Sequence, residues 1–200
     1  MNKPTIVQIL NAIRKKNYVI NELPFQINIF GIRTNDATAD TFNDFVGIVY
    51  KDNKGTWMGK IYEATTDPGM YYRLNPMNVE GTAIMIPGQY KDVYKIGLHK
   101  GYEAMQQIAP IDYVRDNNKD KVLDFLYKVA GFKKYREIAA TNIHHAGADS
   151  AVNWNWSAGC QVFKRIKDFL EFMAIIKESV DTYRLPNKFN YTLLEENDFS

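Results

Sequence analysis

Apolar positions along this chain follow two periods. Ile6, Ile9, Leu10 and Ile13 recur at helical spacing after Pro4, whose fixed φ suits a first turn, so residues 4–16 are expected to form an amphipathic helix. From Phe25 the pattern shortens: "FQINIFGI", "FVGIVY" and "GTAIMI" are runs rich in Ile, Val and Phe, set between Asn, Asp, Gly and Pro, and they read as strands. "DKVLDFLYKVAGF" returns to helical spacing through Val122, Phe125, Leu126 and Val129, with Asp120 as N-cap and Gly131 as stop. "EIAATNI" reads as a strand leading into a histidine pair. The stripe Ile166, Phe169, Leu170, Met173 and Ile176 predicts a long helix over 163–182, and "FNYTLL" a last strand.

These elements predict an α+β, mainly β domain spanning 1–200, with a core over about 25–165 and peripheral additions, largely helical, at 1–20 and 163–200. Composition adds limits. At 200 residues and 46% hydrophobic the chain buries a substantial core. Its 25 Lys and Arg against 23 Asp and Glu are scattered, so no basic stripe suits nucleic acid. A single cysteine excludes an internal disulfide and a zinc site built on several thiolates. "MNKPTIVQILNAIRKKNYVI" lacks the apolar run of a secretory signal, and no stretch approaches the ~20 apolar residues of a membrane span. The expectation is a chain made in the cytoplasm without a classical export signal. Oligomeric state stays open.

The chemistry gathers in "TNIHHAGADSAVNWNWSAGCQVF", residues 141–163, which holds two of three histidines and the only cysteine. A thiolate, not a thiol, attacks carbonyl carbon, so Cys160 needs a base or a field to lose its proton. His144 and His145 lie sixteen and fifteen positions upstream. On a strand neighbours point to opposite faces, so one ring alone meets the thiol, and His144 is the candidate base. Gly159 permits a tight turn beside Cys160, and Ser157 completes a plausible nucleophile loop. Packing is the rival explanation, since a lone cysteine is also a small apolar core residue.

Ile143-His144-His145 and Ser157-Ala158-Gly159-Cys160 resemble the catalytic motif of the L,D-transpeptidase (YkuD-like) family, an "IHG"-type strand followed by "S-H-G-C". "TTDPGMYY" is similar to the family's "TPxG" segment through Thr66, Pro68, Gly69 and Tyr71. The "IHHAG…NWSAGCQVF" segment also looks like cell-wall enzymes of phage and prophage. The resemblance implies a cysteine enzyme acting at the bacterial cell wall on peptidoglycan stem peptides, with no metal or cofactor. There Cys160 forms a thioester at an L,D bond, resolved by water or by an amine, with oxyanion donors near Gly159 and Cys160. Ala158 departs from the pattern where a second histidine is usual, and Gln161-Val162 departs from the residues that commonly follow the cysteine.

His145, Trp156, Gln161 and His99 are candidate substrate-binding residues; His99 reads first as an exposed strand-end histidine, and replaces the missing loop histidine only if the fold brings it near. Trp154 and Trp156, two apart, share one face if their segment is a strand. "RDNNKD", residues 115–120, has calcium-loop spacing through Asp116, Asn118 and Asp120, but Lys121 and Tyr127 stand where Gly and Glu are needed, so capping is expected. Two alternatives stay open: a Cys-His peptidase or amidase on another substrate, and a non-catalytic phage or virion-associated binding protein on the same fold.

Overall fold

A computed structural model describes residues 1–38, 40–147 and 151–200, and within them the chain is α+β, mainly sheet with a few helices. Among the described residues there are eleven strands, β1 (Asn28–Arg33), β2 (Asp44–Lys51), β3 (Trp57–Thr65), β4 (Thr82–Met85), β5 (Gly88–His99), β6 (Tyr102–Gln107), β7 (Ile111–Asp116), β8 (Tyr135–Glu137), β9 (Ile143–His145), β10 (Gln161–Phe163) and β11 (Phe189–Glu195). Eight close into a barrel in the order β1-β11-β5-β6-β9-β10-β3-β2, and β4-β7-β8 form a small second sheet. No helix among the described residues is long and apolar enough to cross a membrane.

Helix α1 (Ile6–Lys15) starts at Thr5, whose hydroxyl accepts from the Gln8 N–H while the Gln8 side chain accepts from the Thr5 N–H. This reciprocal cap is worth about 1 kcal/mol. Its stripe, Ile9, Leu10 and Ile13, packs on Phe30 and Ile32 of β1, while Ile29 points into the barrel, so both faces of β1 are buried. Helix α2 (Ile166–Asp181) sends Phe169, Phe172, Met173 and Ile176 into the core cluster that holds Ile29, Tyr62 and Phe163.

The structure differs from the sequence pattern in three places. Residues 120–131 form no α-helix, only a short 3₁₀ turn at Leu126–Lys128. Local side chains take the backbone donors, with Asp120 Oδ1 accepting from the Val122 N–H at 2.8 Å, and the ends of the supposed stripe, Val122 and Val129, lie in solvent. Of "EIAATNI" only the ends are strand, because Ala140 takes a positive φ of 57° and breaks the run before β9. The third difference concerns the C-terminus. β11 is no peripheral addition: it lies between β1 and β5, parallel to the first and antiparallel to the second, and Leu193 and Tyr191 fill the core.

The arrangement that matters for chemistry is the parallel pair β9-β10, registered Gln161 to Ile143, Val162 to His144 and Phe163 to His145. The loop between these strands ends in Cys160.

Candidate active site

A buried arginine anchors the base of the site. Arg33, 1% exposed, places Nε 2.8 Å from Asp67 Oδ1, donates through Nη2 to the Thr66 carbonyl at 2.9 Å and through Nη1 to the Met85 carbonyl at 2.7 Å. Asp44 accepts from the Thr34 N–H on one oxygen and from the Thr66 N–H and hydroxyl on the other, each at 2.8 Å. Burial, with the Asp67 carboxylate beside it, pushes Asp44 up to about 7 against those donors. The "TTDPG" segment is therefore a clamped turn.

That turn holds the loop that ends in Cys160. The Gly69 N–H donates to the Ser157 carbonyl at 2.8 Å, Asn153 Nδ2 donates to the Asp67 carbonyl at 3.1 Å, and the Tyr71 N–H reaches the Trp154 carbonyl at 3.3 Å. Gly69 is required here because a Cβ would fall 1.9 Å from the Trp154 oxygen. Within the loop, Ser157 Oγ accepts from the Gly159 N–H at 3.1 Å and donates to the Cys160 carbonyl at 2.8 Å. Gly159 has φ +124°, and a Cβ there would meet the Ala83 carbonyl oxygen at 2.8 Å. Ser157 and Gly159 thus shape the turn that presents Cys160.

Cys160 and Val162 are two apart and pack together with Phe42 and Ala146, and His144 is the register partner of Val162. By alternation Cys160 and His144 share the outer face of the strand pair. The thiol is buried, its Sγ 3.6 Å from the Ala140 carbonyl. Burial pushes it up to about 11, while the Asn142 N–H and the Lys100 charge pull the other way. His144 is 1% exposed, and its Nδ1 lies 2.9 Å from the His145 carbonyl. Its Nε2 has no partner. Burial lowers His144 to about 3; the His145 carbonyl opposes this, and the His99 and Lys100 charges add to it.

His99, from the end of β5, lies on His144 with ring centroids 4.1 Å apart and planes within 10°. Its Nδ1 is 3.1 Å from Asn142 Nδ2, and its Nε2 is buried without a partner. His144, His99 and Asn142 are thus brought together with Cys160 beside Asn142, and the thiol makes no hydrogen bond to either imidazole Nε2.

The other candidates point elsewhere. His145 faces the helix side, its ring 4.6 Å from Tyr102 and 5.2 Å from Phe169, and it lines a cavity of about 480 Å³ with Leu170 and Met173. Gln161 is wholly buried; Tyr191 donates to its Oε1 at 2.8 Å, and its Nε2 reaches back to the Gly159 carbonyl at 3.4 Å. That placement makes Gln161 a brace of the loop and removes it from any surface a substrate touches. Trp154 and Trp156 do not share a face, because the segment turns: the Trp156 N–H closes on the Asn153 carbonyl at 2.8 Å, and Trp154 has φ +32°. Trp154 is exposed beside Tyr71, whereas Trp156 packs on Gly147 and the Cys160 cluster. Beside Ala158 lies a cavity of about 240 Å³, lined also by Gly81, Ala83, Arg115 and Ala139.

Sequence reasoning missed Arg33, Asp44 and Asn142. Nothing in their spacing marks them; only the fold carries Arg33 beneath the turn and Asn142 between the thiol and His99. Among the described residues no group of three or more His, Cys, Asp and Glu gathers as metal ligands would. No protein-family model matches the chain, and no curated protein or solved structure matches it.

Proposed function

We propose that the chain is a cysteine acyltransferase or hydrolase of L,D-transpeptidase type, acting at the bacterial cell wall on the stem peptides of peptidoglycan. The observation that carries the reading is the face shared by Cys160 and His144. The histidine's Nδ1 is bound to a carbonyl, so Nδ1 bears the proton and Nε2 keeps a lone pair for the thiol. The resemblance of "IHH" and "SAGC" supplies the substrate class.

In this mechanism His144 Nε2 takes the Cys160 proton as Sγ attacks the carbonyl of an L,D bond. The D-residue leaves as an amine, carrying the proton from the imidazolium, and a thioester remains on Cys160. Burial disfavours either charge alone, so the resting pair is neutral and the proton moves together with the attack. Substrate enters from the cavity beside Ala158, where a small side chain leaves room. Water resolves the thioester at least as fast as an amine, because Ala158 offers an acceptor no group to orient it.

A second reading has one observation in its favour: a thiol held up to about 11 suits a retained fold with a silent site. Incubating a disaccharide tetrapeptide with excess free D-amino acid, then following tripeptide and exchanged tetrapeptide by mass spectrometry, separates the two. The proposal expects tripeptide to equal or exceed exchange product. Neither product from folded protein would support the silent site.

A further inference from the structure

The hydrogen bonds around the stacked histidines fix where each proton sits. The Gln107 N–H donates to Asn142 Oδ1 at 2.9 Å, which leaves Asn142 Nδ2, a donor only, facing His99 Nδ1 at 3.1 Å. His99 Nδ1 therefore accepts, and its proton is on Nε2. His144 is the reverse, with the proton on Nδ1 and the lone pair on Nε2. Both Nε2 atoms are buried and unpartnered, so the site holds one open acceptor and one open donor. Proton abstraction uses the acceptor and leaves the donor without a task, although an unpaired buried N–H costs about 1–3 kcal/mol. Asn142 also links this donor to the nucleophile: its backbone N–H faces the Cys160 thiol, and its carbonyl accepts from the Gln161 N–H at 3.0 Å.

Resting on the reading of Cys160 as a nucleophile toward carbonyl carbon, we propose that His99 Nε2–H donates the hydrogen bond that holds the oxyanion, and that Asn142 is the positioning residue that sets the His99 tautomer. As the Sγ–C bond forms, the carbonyl π pair moves onto oxygen, and His99 holds that charge without giving up its proton. As the C=O bond re-forms, the C–N bond breaks, and the amine leaves with the proton that His144 took from Cys160. The Gly159 N–H is already engaged by Ser157 Oγ, so the loop itself lacks that donor. Burial and the Lys100 and His145 charges lower the His99 pKa, which keeps the ring neutral and suited to donating.

Two reactions of Cys160 isolate this role. Alkylation by iodoacetamide passes through no oxyanion, whereas acylation by p-nitrophenyl acetate does. His99→Phe keeps the stacked ring but loses the donor, and it should slow acylation by about 10²- to 10³-fold while alkylation stays within about threefold of wild type. His99→Gln restores an N–H and should recover much of the loss; performing no better than Phe counts against the proposal. His144→Ala should slow both reactions. Equal slowing of the two by His99→Phe, or no slowing of acylation, overturns it, as does wild-type protein that p-nitrophenyl acetate fails to acylate. ¹⁵N NMR of the wild-type rings, which needs no variant to fold, should show Nε2–H on His99 and Nδ1–H on His144; Nδ1–H on His99 overturns the assignment. In Asn142→Asp a carboxylate oxygen faces His99 Nδ1, so the proton should appear there and acylation should slow. If stem peptides give no product while His99→Phe still slows acylation selectively, the peptidoglycan reading falls and the role of His99 stands.

Discussion

Two buried polar clusters sit under the same loop, and they are finished differently. Around Arg33 every guanidinium nitrogen has an acceptor and both Asp44 oxygens accept, so these charged groups are spent on holding the "TTDPG" turn, while Thr34 Oγ1 and Asn153 Oδ1 at its edge have no partner. Around Cys160 the histidines use Nδ1 for positioning and leave both Nε2 atoms without partners. Buried polar groups are nearly always paired, and under the proposed function the two open Nε2 valences are kept for an incoming molecule. On that reading one cluster is structure and the other is held ready for chemistry.

Breaking the first cluster should cost the most stability. Arg33→Ala strands the Asp67 carboxylate in the interior, and removing one partner of a buried pair costs about 3–5 kcal/mol. At about 2–4 °C per kcal/mol for a chain of this size, the midpoint of thermal unfolding should fall by on the order of 10 °C. Breaking the second cluster should spare the fold and cost rate. His144→Ala is expected to lower turnover by about 10²- to 10⁴-fold, the usual worth of a positioned base, with a smaller fall in melting temperature than Arg33→Ala. Equal melting losses would erase the contrast.

The two clusters also titrate with opposite signs. His144, lowered by burial to about 3 from about 6.5 when unfolded, contributes stability that is present above 6.5 and lost as the pH falls toward 3, at most about 5 kcal/mol. Asp44, raised to about 7, contributes stability that is present below about 4 and lost as the pH rises through 7. Urea unfolding from pH 7 to pH 4 should therefore show a flatter acid decline in His144→Phe than in wild type, and Asp44→Asn should shift the profile the other way. The smallest effect belongs to His145, whose ring packs between Tyr102 and Phe169. His145→Ala should cost about 1–2 kcal/mol of packing and leave turnover within a few-fold.

Much of the frame was legible because it depends on local periodicity. Ile6 to Ile13 and Ile166 to Ile176 bury the faces their spacing marks, and the runs at 28–33, 44–51 and 82–85 are strands. Alternation in "IHH" separates His144 from His145. What was not legible depends on contacts between distant residues. Leu126 and Phe125 have helical spacing, but they flatten against Ile84 and Val114 of the small sheet, and side chains of Asn118 and Asp120 compete for the backbone. Gln161 sits beside Cys160 in sequence yet is drawn inward by Tyr191, 30 residues on. His99 reaches His144 only because β5 and β6 carry it across the barrel wall to β9, and its tautomer depends on Gln107 and Asn142.

The most direct test of the open cluster is to trap the covalent intermediate. Disaccharide tetrapeptide mixed with the protein and quenched in acid within seconds should give, by intact mass, an adduct of the disaccharide tripeptide acyl group. Peptide mapping should place it on Cys160, and Cys160→Ser protein that melts like wild type should lack it. Folded wild-type protein whose Cys160 accepts iodoacetamide, yet which carries no acyl adduct and releases no D-residue, would contradict the account.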